Sequence, residues 1–254
     1  MLVDIQKASM WKRISAYIFD MILLGILAVG LAALLSFALG YDKYAIALDE
    51  AYAKYEEEYG VQFGITEDEY YELSEEERAI FDEASRAVSA DQDALYSYNM
   101  VVNLTLIITT FSILLSYIGL EFVVPLLFKN GQTLGKKIFG LALMRNDGVK
   151  INAVSLFVRT VLGKFTIETM IPVLILIMIF LGSMGVVGVI VIGLIILLQI
   201  ILLIATKTNS AIHDILANTV AVDFASQRIF DTMEDLIEYK KRLHAEEAAR
   251  KEYR

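Results

Sequence analysis

Cysteine is absent from this 254-residue sequence, and histidine occurs only twice, as His213 and His244. The lack of cysteine excludes disulfide bonds, thiol catalysis and Cys-ligated zinc. A metal site built on two histidines would need several carboxylates to complete it, so we expect neither a metal nor another cofactor. Walker loops, Gly-x-Ser-x-Gly and His-Glu-x-x-His are also missing, which favours a protein that is not an enzyme.

Charge is distributed unevenly along the chain. The total is −9, yet residues 41–99 hold 17 acidic and four basic side chains, a net of −13, which leaves +4 for the rest. Hydrophobic residues make up 57% of the chain, compared with ~45–50% in typical globular domains. We therefore interpret the chain as a membrane protein with one acidic insertion, and not as a soluble acidic protein.

Long apolar runs predict an all-α integral membrane protein with four transmembrane helices. The runs cover residues 14–40, 100–128, 165–181 and 186–205, and the last two form a tight hairpin around residues 182–185. Each run approaches or exceeds the ~20 residues that cross a hydrocarbon core. A cleaved signal peptide is the alternative for the first run, but that run is long and contains Asp20.

Basic residues predict the orientation of these helices. They collect before the first run, between the second and third runs, and after the fourth. Because Lys and Arg accumulate on the cytosolic side, we expect both termini in the cytosol and the acidic insertion outside a bacterial cytoplasmic membrane. The resulting regions are the N-terminus with helix one (1–40), the acidic helical insertion (41–99), the remaining membrane domain (100–222) and a cytosolic amphipathic helix (223–254).

Local patterns refine three segments outside the spans. Thr66–Glu69 and Ser74–Glu77 have capping-box spacing, which predicts helices in the acidic insertion. Its charge could concentrate cations at a pore mouth, but we favour a solvated helical face. From Ser226 onward an apolar stripe predicts one amphipathic helix, and the turn at residues 146–148 predicts a small hairpin or re-entrant element.

Ionisable residues within or beside the spans are the strongest indication of chemistry, because a charge in hydrocarbon costs at least ~2.5–3.5 kcal/mol. Asp20, Glu121 and Glu168 lie inside the apolar runs, near their cytosolic ends. Four more charged or titratable residues lie at the adjoining boundary. The sequence thus predicts one inner-leaflet ion or proton cluster, formed by Arg13, Asp20, Glu121, Arg159, Glu168, His213 and Asp214.

Several of these residues stand in motifs that resemble the RDD family of membrane proteins, named for one arginine and two aspartates. The first span opens with Trp-Lys-Arg13 and reaches Asp20, a Gly131-Gln-Thr-Leu-Gly-Lys136 motif follows, and His213-Asp214 comes last. The resemblance covers about residues 10–42 and 98–222. It implies that Arg13, Asp20 and Asp214 are the naming residues, and that cation/proton antiport is an activity of some members.

Two functional hypotheses follow. In the first, the chain is a Na⁺ or K⁺/proton antiporter or another proton-coupled transporter, in which Asp20 and Asp214 exchange protons for cations with help from Glu121. Four spans are few for alternating access, so a homodimer is then expected. In the second, the chain is a non-transporting scaffold or assembly factor, and its Arg–Asp cluster is structural. The expected partners are the lipid bilayer and these small ions, with no nucleic acid.

The basic-residue pattern gives a prediction about topology. Reporters placed at residue 75 and at residue 254 should lie on opposite sides of the membrane, because only four spans keep every basic segment on one side. The measurement is labelling of single introduced cysteines by an impermeant thiol reagent, since the chain has no cysteine of its own. Labelling of residue 254 from outside intact cells would contradict four spans.

Overall fold

Four long apolar helices dominate the computed structural model, which describes residues 5–252. They are α1 (Met10–Leu39), α5 (Gln92–Phe128), α7 (Ala153–Phe180) and α8 (Gly185–Ala205), and each is long and apolar enough to cross a membrane. Much of their surface is apolar and exposed; the apolar window of α8 is only 6% buried. A surface of that kind is stable in lipid and not in water. The expectation of a helical multi-pass membrane protein is confirmed.

The bounds of the helices differ most from the apolar runs at the third span. Helix α7 begins at Ala153, twelve residues before the predicted start of the third span, and ends at Phe180. Asn152 caps its N-terminus, because its side-chain oxygen accepts the backbone N–H of Ser155 at 2.7 Å. The early start places the charged residues Arg159 and Lys164 on the helix itself instead of in a loop.

The chain divides into two compact units, residues 29–112 and residues 1–28 with 113–254. We name them the insertion unit and the membrane unit. The insertion unit contains α2 (Tyr41–Tyr59), α3 (Glu67–Glu72) and α4 (Glu75–Ala90). Gly40 and Gly60 flank α2 with φ of 68° and 69°, a left-handed conformation that glycine adopts without a Cβ penalty.

Capping and aromatic packing organise the insertion unit. Thr66 and Ser74 form both capping boxes that the sequence predicts, with Glu69 and Glu77 as their partners. Rings of Tyr52, Phe63, Phe81 and Tyr70 meet edge to face in succession. The acidic side chains remain at the exposed surface, which agrees with the interpretation as a solvated helical face.

A two-stranded antiparallel sheet lies in the membrane unit, so the expectation of an all-α chain was incomplete. Strand β1 (Leu141–Arg145) pairs with β2 (Thr219–Asp223), with Leu141 opposite Asp223 and Arg145 opposite Thr219. Their buried side chains form a small core of Ala142, Met144, Val220 and Val222, against which Ile5 and Ile229 pack. Short helices precede each strand: α6 (Leu134–Ile138) and α9 (Ile212–Leu216).

The predicted hairpin at residues 146–148 forms only as a turn. The N–H of Gly148 donates to the carbonyl of Arg145 at 2.9 Å, and a single bridge joins Met144 to Lys150. The residues after the turn do not continue as a strand, because Asn152, two residues after Lys150, caps the start of helix α7. Strand β1 instead pairs through its backbone with β2.

The C-terminal helix begins later than predicted. Helix α10 spans Met233–Glu252, whereas the sequence predicted a helix from Ser226. Thr232 and Asp235 form reciprocal hydrogen bonds that fix the start. Phe230, which precedes that start, and Leu236, in the first turn of the helix, form a buried cluster with Val149.

The separation of the insertion unit predicts that its acidic helices α2, α3 and α4 are dispensable for folding. Replacing residues 43–95 with a short polar linker should leave membrane insertion and thermal stability of the remaining protein unchanged, because these residues belong to a unit with its own contacts. Yield in the membrane fraction and melting in detergent measure this. As a control, the same linker in place of residues 129–152, which include α6 and β1, should abolish folding. Degradation of the first variant would contradict the prediction.

Candidate functional site

All seven residues of the sequence-predicted cluster lie in the membrane unit. They are carried by α1, α5, α7 and α9, and two lysines that sequence reasoning did not assign to the site, Lys136 and Lys164, lie among them. The cluster therefore has four cationic side chains, four carboxylates and one imidazole. Every carboxylate of the cluster is within 4 Å of a basic side chain, and the salt bridges join Asp214, Asp20, Glu121 and Glu168 to their partners.

Asp214 is shared by two guanidinium groups. Nη1 of Arg159 donates to Oδ1 of Asp214 in a very short contact and to the Thr219 hydroxyl at 2.8 Å. Nη2 of Arg13 lies 3.5 Å from Oδ2 of Asp214, and its Nη1 donates to the carbonyl of Thr208 at 3.2 Å. Burial alone would raise the pKa of Asp214, but the neighbouring Arg159 outweighs it and holds the pKa below its ordinary value. Asp214 therefore stays ionised.

Asp20 is held by helix α6 and not by an arginine. Its Oδ1 accepts the backbone N–H of Gly135 at 2.7 Å, its Oδ2 accepts the Thr133 hydroxyl, and Nζ of Lys136 is 3.7 Å from Oδ2. Arg13, seven residues before Asp20 on the same helix, reaches Asp214 instead. The absence of a side chain at Gly135 is required here, because a Cβ would lie 2.4 Å from the carbonyl oxygen of Ala16.

Two widened helical segments bring Glu121 and Lys164 together. Residues Ile118–Val123 of α5 and Val158–Met170 of α7 are π-helical, with hydrogen bonds from residue i+5 to residue i. Nζ of Lys164 lies 2.7 Å from Oε1 of Glu121. In an α-helix, residues five apart differ by about 140° around the axis. The wider turn instead brings Arg159 and Lys164 to one cavity.

Glu168 pairs with His213. Nδ1 of the imidazole is 2.7 Å from Oε2 of Glu168, and the backbone N–H of His213 donates to Oε1 at 3.0 Å. Burial and the nearby Arg159 lower the pKa of His213, so the ring is neutral at pH 7. Helix α9 approaches closely because Gly163 has no side chain; a Cβ there would be 2.5 Å from the Cβ of His213.

Lys136 is the residue of the cluster whose charge is most easily changed near neutral pH. Its ammonium donates to the Thr133 hydroxyl at 3.1 Å and is buried. Burial lowers its pKa, and the nearby Lys164 lowers it further, to about 8, although Glu121 and Asp20 raise it. Since proton exchange is most effective for a group whose pKa is near the ambient pH, Lys136 is suited to it.

These side chains surround a partly open cavity of about 70 Å³. One water occupies about 30 Å³ in the liquid, so the cavity has room for roughly two waters or a small ion. Its walls include Ala16, Tyr17 and Leu141, and its ionisable lining residues are Arg13, Asp20, Lys136, Arg159, Lys164 and His213. The lining thus contains four cations and one carboxylate.

Lys136 and Lys164 were missed as members of the site, because sequence reasoning used Lys164 only as evidence of orientation and Lys136 only for orientation and for the family resemblance. For Lys164 a signal was present: it stands four residues before Glu168, at the edge of an apolar run, where a charge needs a partner. For Lys136 the signal was weaker, because nothing in the sequence shows that the chain after α5 folds back onto α1.

The four apolar helices and the enclosed charge cluster define a polytopic helical membrane protein with a polar site inside its membrane unit. A model of the RDD family matches residues 7–218, and the chain belongs to that family. No curated protein matches the chain. No solved structure matches it either.

The contact between α6 and α1 gives a prediction about stability. Gly135→Ala should destabilise the protein by about 1–3 kcal/mol, the usual cost of overpacking a tight contact, because the new methyl group would meet the Ala16 carbonyl and the Asp20 carboxylate. Gly25→Ala, at a glycine of α1 that has open space around it, is the control and should lose no stability. Melting in detergent measures both. Equal melting temperatures for the two variants would contradict the close approach.

Proposed function

We propose that this protein is a proton-coupled membrane transporter and that the cavity between α1, α6, α7 and α9 is its binding site. The observation that supports the proposal is the cavity itself. Ionisable groups inside a membrane domain are expensive and usually functional. Six ionisable residues line a space large enough for a small ion, and a network that served only to join helices would not require that space.

Lys136, which is paired with Asp20, is the group that exchanges protons in this proposal. Both line the cavity, and the pKa of Lys136, about 8, allows it to lose and regain a proton near neutral pH. Asp214 is less suited to the exchange that the sequence suggested, because Arg159 keeps it ionised. With the termini in the cytosol, the site would lie in the cytosolic half of the membrane, and a homodimer would provide the additional helices that alternating access needs.

Cation/proton antiport is one form of this function. A Na⁺ or K⁺ ion at Asp20, together with loss of the Lys136 proton, would leave the charge of the site unchanged. The four cations of the lining act against that form, because each of them repels the entering ion at short range. Transport of an anion with a proton is the form that the charges favour.

A structural role is the second candidate, and the closed pairing of charges supports it. Each carboxylate of the cluster has a basic partner from another helix, so the network connects α1, α5, α6, α7 and α9. Buried ion pairs of this kind are weak evidence of activity. In this reading the protein is a scaffold or assembly factor, and the insertion unit and α10 bind its partners.

Paired substitutions at Asp20 and Lys136 distinguish the two roles. In a transporter, Asp20→Asn, Lys136→Gln and the double variant should all lose ion-driven changes of internal pH in liposomes, because the pair of Lys136 with Asp20 is absent from each. In a scaffold, Asp20→Asn leaves a buried ammonium unpaired and costs about 3–5 kcal/mol, and the double variant should recover most of that stability.

Flux in proteoliposomes and melting in detergent are measured for each protein. Lys150→Gln removes a lysine that pairs with the exposed Asp231, outside the cavity, and is the control. It should retain flux and stability. Wild-type protein without flux for Na⁺, K⁺ or phosphate, together with stability rescue in the double variant, would refute transport in favour of the structural role.

A further inference from the structure

We infer that the cavity binds a tetrahedral oxyanion of the phosphate class, held by Arg13 and Arg159 with Lys136 beside it. The inference rests on the proposed function only where it treats this anion as the transported substrate. Binding of the anion is argued from the geometry of the cavity and its lining residues. The oxyanion is either free phosphate or the phosphate of a lipid headgroup, because both present the same oxygen atoms to the protein.

The charges that face the cavity are not balanced locally. Lys164 is matched by Glu121, and Lys136 by Asp20. Arg13 and Arg159, however, share the single carboxylate of Asp214, which leaves one positive charge without its own counter-charge. The carboxylate that balances the cluster as a whole, Glu168, is engaged by His213 and is not among the cavity-lining residues. The cavity therefore has a surplus of positive charge on one side.

An unused hydrogen-bond donor supports the same conclusion. Nε of Arg159 is buried and, among the residues that the structure describes, has no hydrogen-bond partner. The side chain is only 4% exposed and lines the cavity. A buried donor without an acceptor costs about 1–3 kcal/mol, so native structures rarely retain one. An oxyanion in the cavity would supply the missing acceptor.

The chemistry of the lining fits an oxyanion better than a halide. Guanidinium groups present planar, fork-shaped donors that match the oxygens of phosphate. Arg13 is the more distant of the two partners of Asp214, at 3.5 Å, and it also lines the cavity, so it can contact a ligand while it stays beside Asp214. The volume of about 70 Å³ limits the ligand to one small group, while apolar walls at Ala16 and Leu141 leave little room for a polar extension.

Binding of the anion also couples to proton uptake. The groups that face Lys136 are Asp20 from α1, Glu121 from α5, and Arg159 and Lys164 from α7. An anion placed among them favours the charged form of Lys136 and raises its pKa above about 8. Affinity is therefore highest below pH 8 and falls as the pH rises above it. Each anion that binds while Lys136 is neutral is therefore accompanied by the uptake of a proton.

Sulfate is the probe for the free anion, because its charge does not change near neutral pH. Titration of the wild-type protein in detergent with sodium sulfate, against sodium chloride at equal ionic strength, should give saturable binding and a rise in melting temperature. Affinity should fall by up to about tenfold between about pH 7 and about pH 9. At about pH 8 the heat of binding should depend on the ionisation enthalpy of the buffer, as proton uptake requires.

Arg13→Gln is the test variant, since Arg159→Gln would also remove the main partner of Asp214. Loss of charged hydrogen bonds should weaken sulfate binding by about tenfold or more. The control Lys150→Gln removes one positive charge outside the cavity and should change affinity less than twofold. Lys136→Gln should retain some binding but lose its dependence on pH.

Nanodiscs distinguish the two sources of the oxyanion. Phosphatidylglycerol, added to phosphatidylcholine nanodiscs, should raise the melting temperature of the wild-type protein but not of Arg13→Gln if the ligand is a headgroup. Stabilisation by sulfate alone would identify a free anion, and either result supports the inference. No stabilisation by either probe, or equal losses in Arg13→Gln and Lys150→Gln, would overturn it. If Arg13→Gln does not fold, calorimetry of the wild-type protein replaces it. A heat of sulfate binding that depends on the buffer supports the inference, and a heat that is the same in every buffer overturns it.

Flux separates this inference from the proposed function. Oxyanion binding without flux would refute transport and leave the binding site standing. Flux of Na⁺ or K⁺ without oxyanion binding would refute the binding site and leave transport standing.

Discussion

The carboxylate of Asp214, shared by Arg159 and Arg13, is the interaction on which the membrane unit depends. None of these three side chains is stable in apolar surroundings without the others, because an isolated buried charge is far more costly than a paired one. The group ties the start of α1, the middle of α7 and the short helix α9 into one arrangement. The Thr219 hydroxyl extends the same network to the first residue of β2, so the sheet is positioned by the charges as well as by its own small core.

The same arrangement leaves the interior incompletely filled. Charged groups need partners at fixed distances, and their long side chains cannot interdigitate as closely as apolar ones do. The result is a space among Arg13, Lys136 and Arg159, in a domain whose remaining helices pack through apolar contacts such as that of Leu24 with Tyr117 and Phe165. The side chains that form the rigid charge network therefore also form the polar cavity.

The sequence revealed the features that depend on local pattern. The apolar runs located the four spans, because lipid does not tolerate unsatisfied polar backbone groups. The acidic residues within those runs, Asp20, Glu121 and Glu168, indicated the site, because lipid does not tolerate an unpaired charge either. The capping boxes of the insertion unit were equally local.

Features that depend on distant contacts were not predictable in this way. Strand β1 pairs with β2, far away along the chain, and not with the run that follows its own turn. The partners of Asp20 come from a segment that had been counted only for its positive charge. Neither pairing has a signature in the periodicity of a single sequence, since each is fixed by how the helices pack.

The π-helical segment of α7 links the geometry of the backbone to the chemistry of the site. Arg159 and Lys164 reach one cavity only because hydrogen bonding over five residues brings them to the same side. If one residue were deleted between them, the helix could return to ordinary α-helical bonding, and the two side chains, then four residues apart, would differ by only about 40° around the axis. At the present length the same return to α-helical bonding would turn Lys164 away from Glu121, and Glu168 away from His213. The site therefore tolerates the wider turn or a chain one residue shorter, but not an ordinary α-helix of the present length.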